Sequence, residues 1–126
     1  MAIETLLQLL SSKAAVSDVE RQEILDRDHL ARYTLGDEAL AQEVLGLFIG
    51  QLPETVAMLR NSGDARSWMR AAHTIKGSAR AVGAWKLACA AERAEGDSEM
   101  TERWQERADD IEAAIAEVRL RIANSA

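Results

Sequence analysis

Between Met100 and Ile122 the apolar residues Met100, Trp104, Ala108, Ile111, Ile115, Val118 and Ile122 recur at steps of four and three. Only a helix brings side chains back to one face at that interval, and such a stripe has to be covered by other helices. A second stripe of this kind runs through Leu40, Val44, Leu47, Phe48, Leu52, Val56 and Leu59. One proline and seven glycines in 126 residues leave little of the turn chemistry that hairpins need. The expected fold is therefore all-α: an antiparallel four-helix bundle with an additional short N-terminal helix or helices.

Turn and cap residues divide the chain. Residues 1–24 read as an N-terminal extension in which Ile3, Leu6, Leu7 and Leu10 have helical spacing and Ser17–Glu20 ("SDVE") forms a capping box. It is expected to be helical and packed on the main body, residues 25–126. There a short helix is expected over Asp28–Tyr33, followed by a "TLGD" turn. Asp37 is placed to cap a long helix reaching about Asn61, which Pro53 should kink. Asp64 caps the next, Ala65 to Val82, and Gly83 stops it. A fourth helix follows from Trp85 to Glu95, with Leu87, Ala91 and Ala94 inward, and a last one from Glu99 to Ala123.

Several function classes are disfavoured. The net charge of −6 argues against nucleic acid as a ligand. No apolar run approaches the roughly 20 residues of a membrane span, and no signal peptide is visible. Two histidines and one cysteine, Cys89, do not make a zinc cluster, and a lone cysteine fits a reducing cytosol. There is no glycine-rich phosphate cradle, so no ATP-dependent kinase is expected. The charge is nonetheless uneven. Arg60, Arg66, Arg70, Lys76, Arg80 and Lys86 face only Asp64 within one stretch, which is thus +5 against −11 elsewhere.

That basic stretch contains "AAHTIKGSARAVGA", with a glycine inside a helix where it costs roughly 1 kcal/mol relative to alanine. At about 100° per residue, Trp68, Ala72, Ile75, Ala79 and Val82 form a core stripe, and His73 points roughly 140° away from its centre. Lys76, Gly77, Arg80, Arg66 and Arg70 fall on the same outer half. A neutral imidazole, with an ordinary pKa of about 6.5, is a nitrogen nucleophile near neutral pH. Attack on a phosphoryl group needs an open approach and positive charge for its oxygens. Lys76 can supply the charge, and the missing side chain at Gly77 the opening. Trp68, Trp85 and Trp104 are read as core or bundle-end packing and His29 as a surface residue.

At these residues the chain resembles histidine-containing phosphotransfer (HPt) domains, in which His-x-x-Lys-Gly lies on the second long helix of a four-helix bundle. The likeness runs from "ILDRDHLARYTLGDEALAQEVLGLF" through "AHTIKGSARAVG" to "LACAAERAE", covering Ile24 to Glu95, while the last helix matches in type only. His73 matches the phosphorylated histidine, Lys76 the charge-stabilising lysine and Gly77 the clearance glycine; Ser78 and Gly83 match small positions. Some members place a glutamine on the following helix near the phosphate. None lies between Trp85 and Glu95, and Arg80 is the candidate to take its place.

The resemblance implies a bacterial, cytoplasmic, free-standing and monomeric phosphoryl carrier without autokinase activity. It would relay phosphate between receiver domains of hybrid histidine kinases and response regulators, with Mg²⁺ supplied by the receiver and no cofactor of its own. Arg66, Arg70, Ser78 and Arg80 would support the site or steer an acidic partner, and Leu30 and Phe48 would contribute apolar contact, with core packing the equal alternative for Phe48. The alternative is a non-phosphorylatable helical adaptor that binds a receiver or other signalling protein through the same face. A dimeric histidine-kinase fragment would be a third reading.

Overall fold

A computed structural model describes residues 23–124 of the chain. The proposed helix around Ile3–Leu10 and the Ser17–Glu20 capping box lie outside the described residues. The elements are α1 (Arg27–Tyr33), α2 (Glu38–Arg60), α3 (Ala65–Val82), α4 (Trp85–Gly96), a 3₁₀ turn (Thr101–Arg103) and α5 (Trp104–Ala123). The four longer helices close a ring of contacts, α2 on α3, α3 on α4, α4 on α5 and α5 back on α2, while α1 packs on α2 and α3.

Capping chemistry sets the boundaries. Asp26, Asp37 and Asp64 each accept a hydrogen bond from a backbone N–H three residues on, satisfying a donor that the first helical turn would leave free. α2 continues through Pro53. α3 ends at Gly83, whose φ of 84° is the left-handed conformation that a Cβ disfavours. A Cβ there would also lie 2.9 Å from the Asp26 carbonyl oxygen, because Asp26 donates its N–H to the Gly83 carbonyl at 2.8 Å. Gly83→Ala is therefore expected to cost about 1–3 kcal/mol, read as a lowered melting temperature. An unchanged melting curve would show that α1 yields without penalty.

The core stripe of α3 is buried as the spacing predicts, and so are Leu87, Ala91 and Ala94 of α4 and Ala108, Ile111, Ile115 and Val118 of α5. Trp68 is buried, stacks on Trp104 with ring centroids 4.6 Å apart, and donates its indole N–H to the Ala94 carbonyl at 2.7 Å. Trp85 is buried at the opposite end, where its N–H reaches Asp26 Oδ2 at 2.9 Å.

Three expectations are corrected. His29 is not on the surface: it is buried, edge-on to Trp85, and burial pushes its imidazole below the ordinary pKa. The stripe on α2 faces inward through Leu45, Phe48, Leu52, Val56 and Leu59, whereas Leu40 and Leu47 are exposed. These two lie roughly 130° from the centre of that register, because the apolar residues of α2 form two faces rather than one. Met100 is exposed too, since α5 begins only at Trp104 after the 3₁₀ turn.

Candidate functional site

His73 sits at the middle of α3 with its side chain 67% exposed, on the face opposite the buried stripe. Its Nδ1 lies 2.7 Å from Oε2 of Glu95, on the last turn of α4. The other oxygen of the same carboxylate accepts from Lys76 Nζ at 2.5 Å. Glu95 thus bridges the two residues that the motif singled out. Lys76 is only 14% exposed, and its bond to Glu95 is partly buried.

The protonation pattern follows from this carboxylate. Burial pushes the Glu95 carboxyl up, but hydrogen bonds from Lys76 and His73 outweigh that and hold it below its ordinary pKa. An ionised carboxylate only accepts, so the bond to the ring has to be donated by Nδ1–H. In a neutral imidazole the proton on one nitrogen leaves the lone pair on the other. In that neutral form the lone pair is on Nε2, across the ring from the Glu95 contact.

Gly77 is exposed, and a Cβ built on it would meet nothing within 4 Å. Among the described residues the space beside Gly77 is open, and none of them requires the glycine. On the α2 side of α3, a hollow of about 340 Å³ is lined by Thr55, Met58, Ser67, Arg70, Ala71 and Thr74 among others. Met58, in the wall of this hollow, is an exposed large apolar residue, and elsewhere on α2 and α3 so are Leu47 and Met69. The two sides of the imidazole differ in kind: a carboxylate wall on one, an open and partly apolar slope on the other.

The cations are less free than their count suggests. Arg80 pairs with Glu92 at 3.2 Å, so it is engaged there rather than standing in for a glutamine at His73. Arg60 is held by Asp109 and Glu112, and Lys86 by Glu117. Carboxylates of α4 and α5 thus cover four of the six bases, and the expected +5 patch is largely neutralised in place. Arg66 and Arg70 remain exposed, near Asp64. Ser78 is half-buried. Leu30 and Phe48 are both buried in the core, which corrects the expectation that they offer apolar contact to a partner; Leu47, Met58 and Met69 are the exposed large apolar residues of α2 and α3 besides Leu40.

Glu95 is the residue that motif reasoning passed over, because an amide was sought at that place. The signal was present. His73 stands ten residues before Gly83 and Glu95 eleven after Ala84, so a tight turn between antiparallel helices sets them side by side. Among the described residues, no group of three or more His, Cys, Asp or Glu is arranged to hold a metal ion, and no helix is long and apolar enough to cross a membrane.

A family model described as Hpt domain matches residues 43–121, from early in α2 to the end of α5. No curated protein and no solved structure gives a match.

Proposed function

The chain belongs to the Hpt domain family, and from that membership we propose that it relays a phosphoryl group between receiver-domain aspartates in a multistep two-component phosphorelay, carried on His73. Domains of this family are phosphocarrier modules of phosphorelays and meet receiver domains. The observation that carries the residue assignment is the two-thirds exposed imidazole whose Nδ1 is engaged by Glu95, which puts the lone pair of the neutral ring on Nε2.

In the proposed cycle, Nε2 attacks the phosphorus of an aspartyl phosphate in line. The P–N bond forms as the P–O bond breaks, and the electron pair leaves with the donor's carboxylate. The reverse step loads a second receiver. Lys76, close enough to shift from Glu95 to a phosphoryl oxygen, balances the charge of the transferred group. The receiver supplies Mg²⁺, and the chain itself needs no cofactor and no nucleotide. Arg66 and Arg70 meet the partner's acidic pocket, with Leu47, Met58 and Met69 giving apolar contact. The proposed setting is the bacterial cytoplasm.

Incubation with a phosphorylated receiver tests the reading. The expected product is a phosphate on this chain that survives base and is lost in acid, the stability of a P–N bond. Binding of the receiver without any such label would favour the adaptor instead. Gly77 offers a graded check. Gly77→Ala should stabilise the helix by up to about 1 kcal/mol, since the added methyl meets open space. Gly77→Leu should slow transfer by an order of magnitude or more, because misplacing the reacting atoms by about 1 Å costs roughly a hundredfold. Transfer by the leucine variant at the unaltered rate would remove the clearance role.

A further inference from the structure

Glu95 touches both residues that take part in the transfer, and its role so far is confined to the unloaded ring. Resting on the reading of His73 as phosphoacceptor, we propose that Glu95 is a positioning residue that times discharge. Its carboxylate keeps the Nδ1 proton on the phosphorylated ring, so that the phosphoryl group is given up readily rather than stored.

The electron accounting shows why that proton matters. On loading, the Nε2 lone pair becomes the P–N bond and no proton has to leave Nε2. The ring then carries a positive charge shared by its two nitrogens, with the Nδ1 proton still donated to Glu95. On discharge, the incoming oxygen attacks phosphorus and the P–N electron pair returns to Nε2. With Nδ1 protonated, the leaving group is a neutral imidazole. Without that proton it is an imidazolate anion, a far poorer leaving group. Discharge therefore follows the fraction of phosphohistidine that retains its Nδ1 proton.

The charges around the ring divide by helix. From α3 itself come Lys76 and Arg80, with Arg66 and Arg70 upstream, all of which favour loss of the proton. From α4 come Glu95, in contact with Nδ1, and Glu92, already paired to Arg80. Glu95 is the carboxylate in direct contact with Nδ1. A hydrogen bond to an ionised acceptor is roughly twice as strong as one to a neutral amide, so charge as well as shape is required at this position. The half-buried setting of Glu95 limits competition from water.

The experiment compares the full chain with Glu95→Gln, which keeps size and hydrogen-bonding reach. Both are loaded with phosphoramidate, freed of excess reagent, and followed by ³¹P NMR as phosphohistidine hydrolyses across a pH series, with water as acceptor. The pH above which hydrolysis slows should fall by about one unit in the variant, making its phosphohistidine about tenfold longer-lived on the alkaline side. Long-range ¹H–¹⁵N spectra of the unloaded proteins should show the proton on Nδ1 in the parent and a shift toward Nε2 in the variant. A purely structural role for Glu95 would move neither reading. Superimposable pH profiles in two proteins that both load would overturn this inference alone. Failure of the parent to take up phosphate at His73 would overturn the phosphoacceptor reading, and this inference with it.

Discussion

His73→Gln is expected to abolish acid-labile labelling by a phosphorylated receiver, while helical content and melting temperature stay within error of the parent. The side chain is two-thirds exposed and outside the core, and surface substitutions of this kind usually fall within about 0.5 kcal/mol of neutral. Glutamine can still donate toward Glu95, so the α3–α4 contact is not left with an unpaired carboxylate. What it lacks is a ring nitrogen with a free lone pair. Labelling is scored by gel after acid and base treatment, and stability by circular dichroism. Undiminished acid-labile label on the variant would move the acceptor to another residue; His29, the other histidine, is buried.

The largest structural effect is expected from Trp68→Ala. Removing a fully buried indole costs about 3–5 kcal/mol through lost burial and the cavity left behind. A domain of this kind has only about 5–15 kcal/mol to lose. Two further contacts go with the ring: the stack on Trp104, which ties α5 to α3, and the hydrogen bond to the Ala94 carbonyl. The second bears on function, because Ala94 precedes Glu95. Urea denaturation measures the loss, and Trp68→Phe separates its parts. Phenylalanine restores much of the volume but removes the indole donor, leaving the Ala94 carbonyl with the longer bond from the Asp97 N–H at 3.2 Å. A stability change below about 1 kcal/mol for the alanine variant would mean that the core between α3 and α5 collapses freely, against the behaviour of packed interiors.

Much of this fold was legible because its signals are local. The Asp37 and Asp64 caps and the Gly83 stop mark the ends of α2 and α3 where the helices in fact begin and end. The core stripe of α3 follows from spacing alone. On α2 the same reasoning chose the wrong register at its start, because Leu40 and Leu47 are as apolar as Leu45 and Phe48. Only tertiary contact separates a face that meets the core from one that meets a partner. His29 misled for a related reason: nothing local announces that the Gly83 turn and Trp85 will close over it. At the site, His73, Lys76 and Gly77 stood out because they lie within one helical turn, whereas Glu95 belongs to the next helix. The family match extends through α5, where the sequence offered only a likeness of type.

The unlike flanks of His73 carry a kinetic consequence for the proposed relay. With the α4 side occupied by Glu95 and the described residues open past Gly77, donor and acceptor that both approach there dock through the same sector and are not bound together. Transfer is then a two-stroke, ping-pong process in which one receiver departs before the next arrives. A surplus of unphosphorylated receiver would slow loading by occupying the single berth.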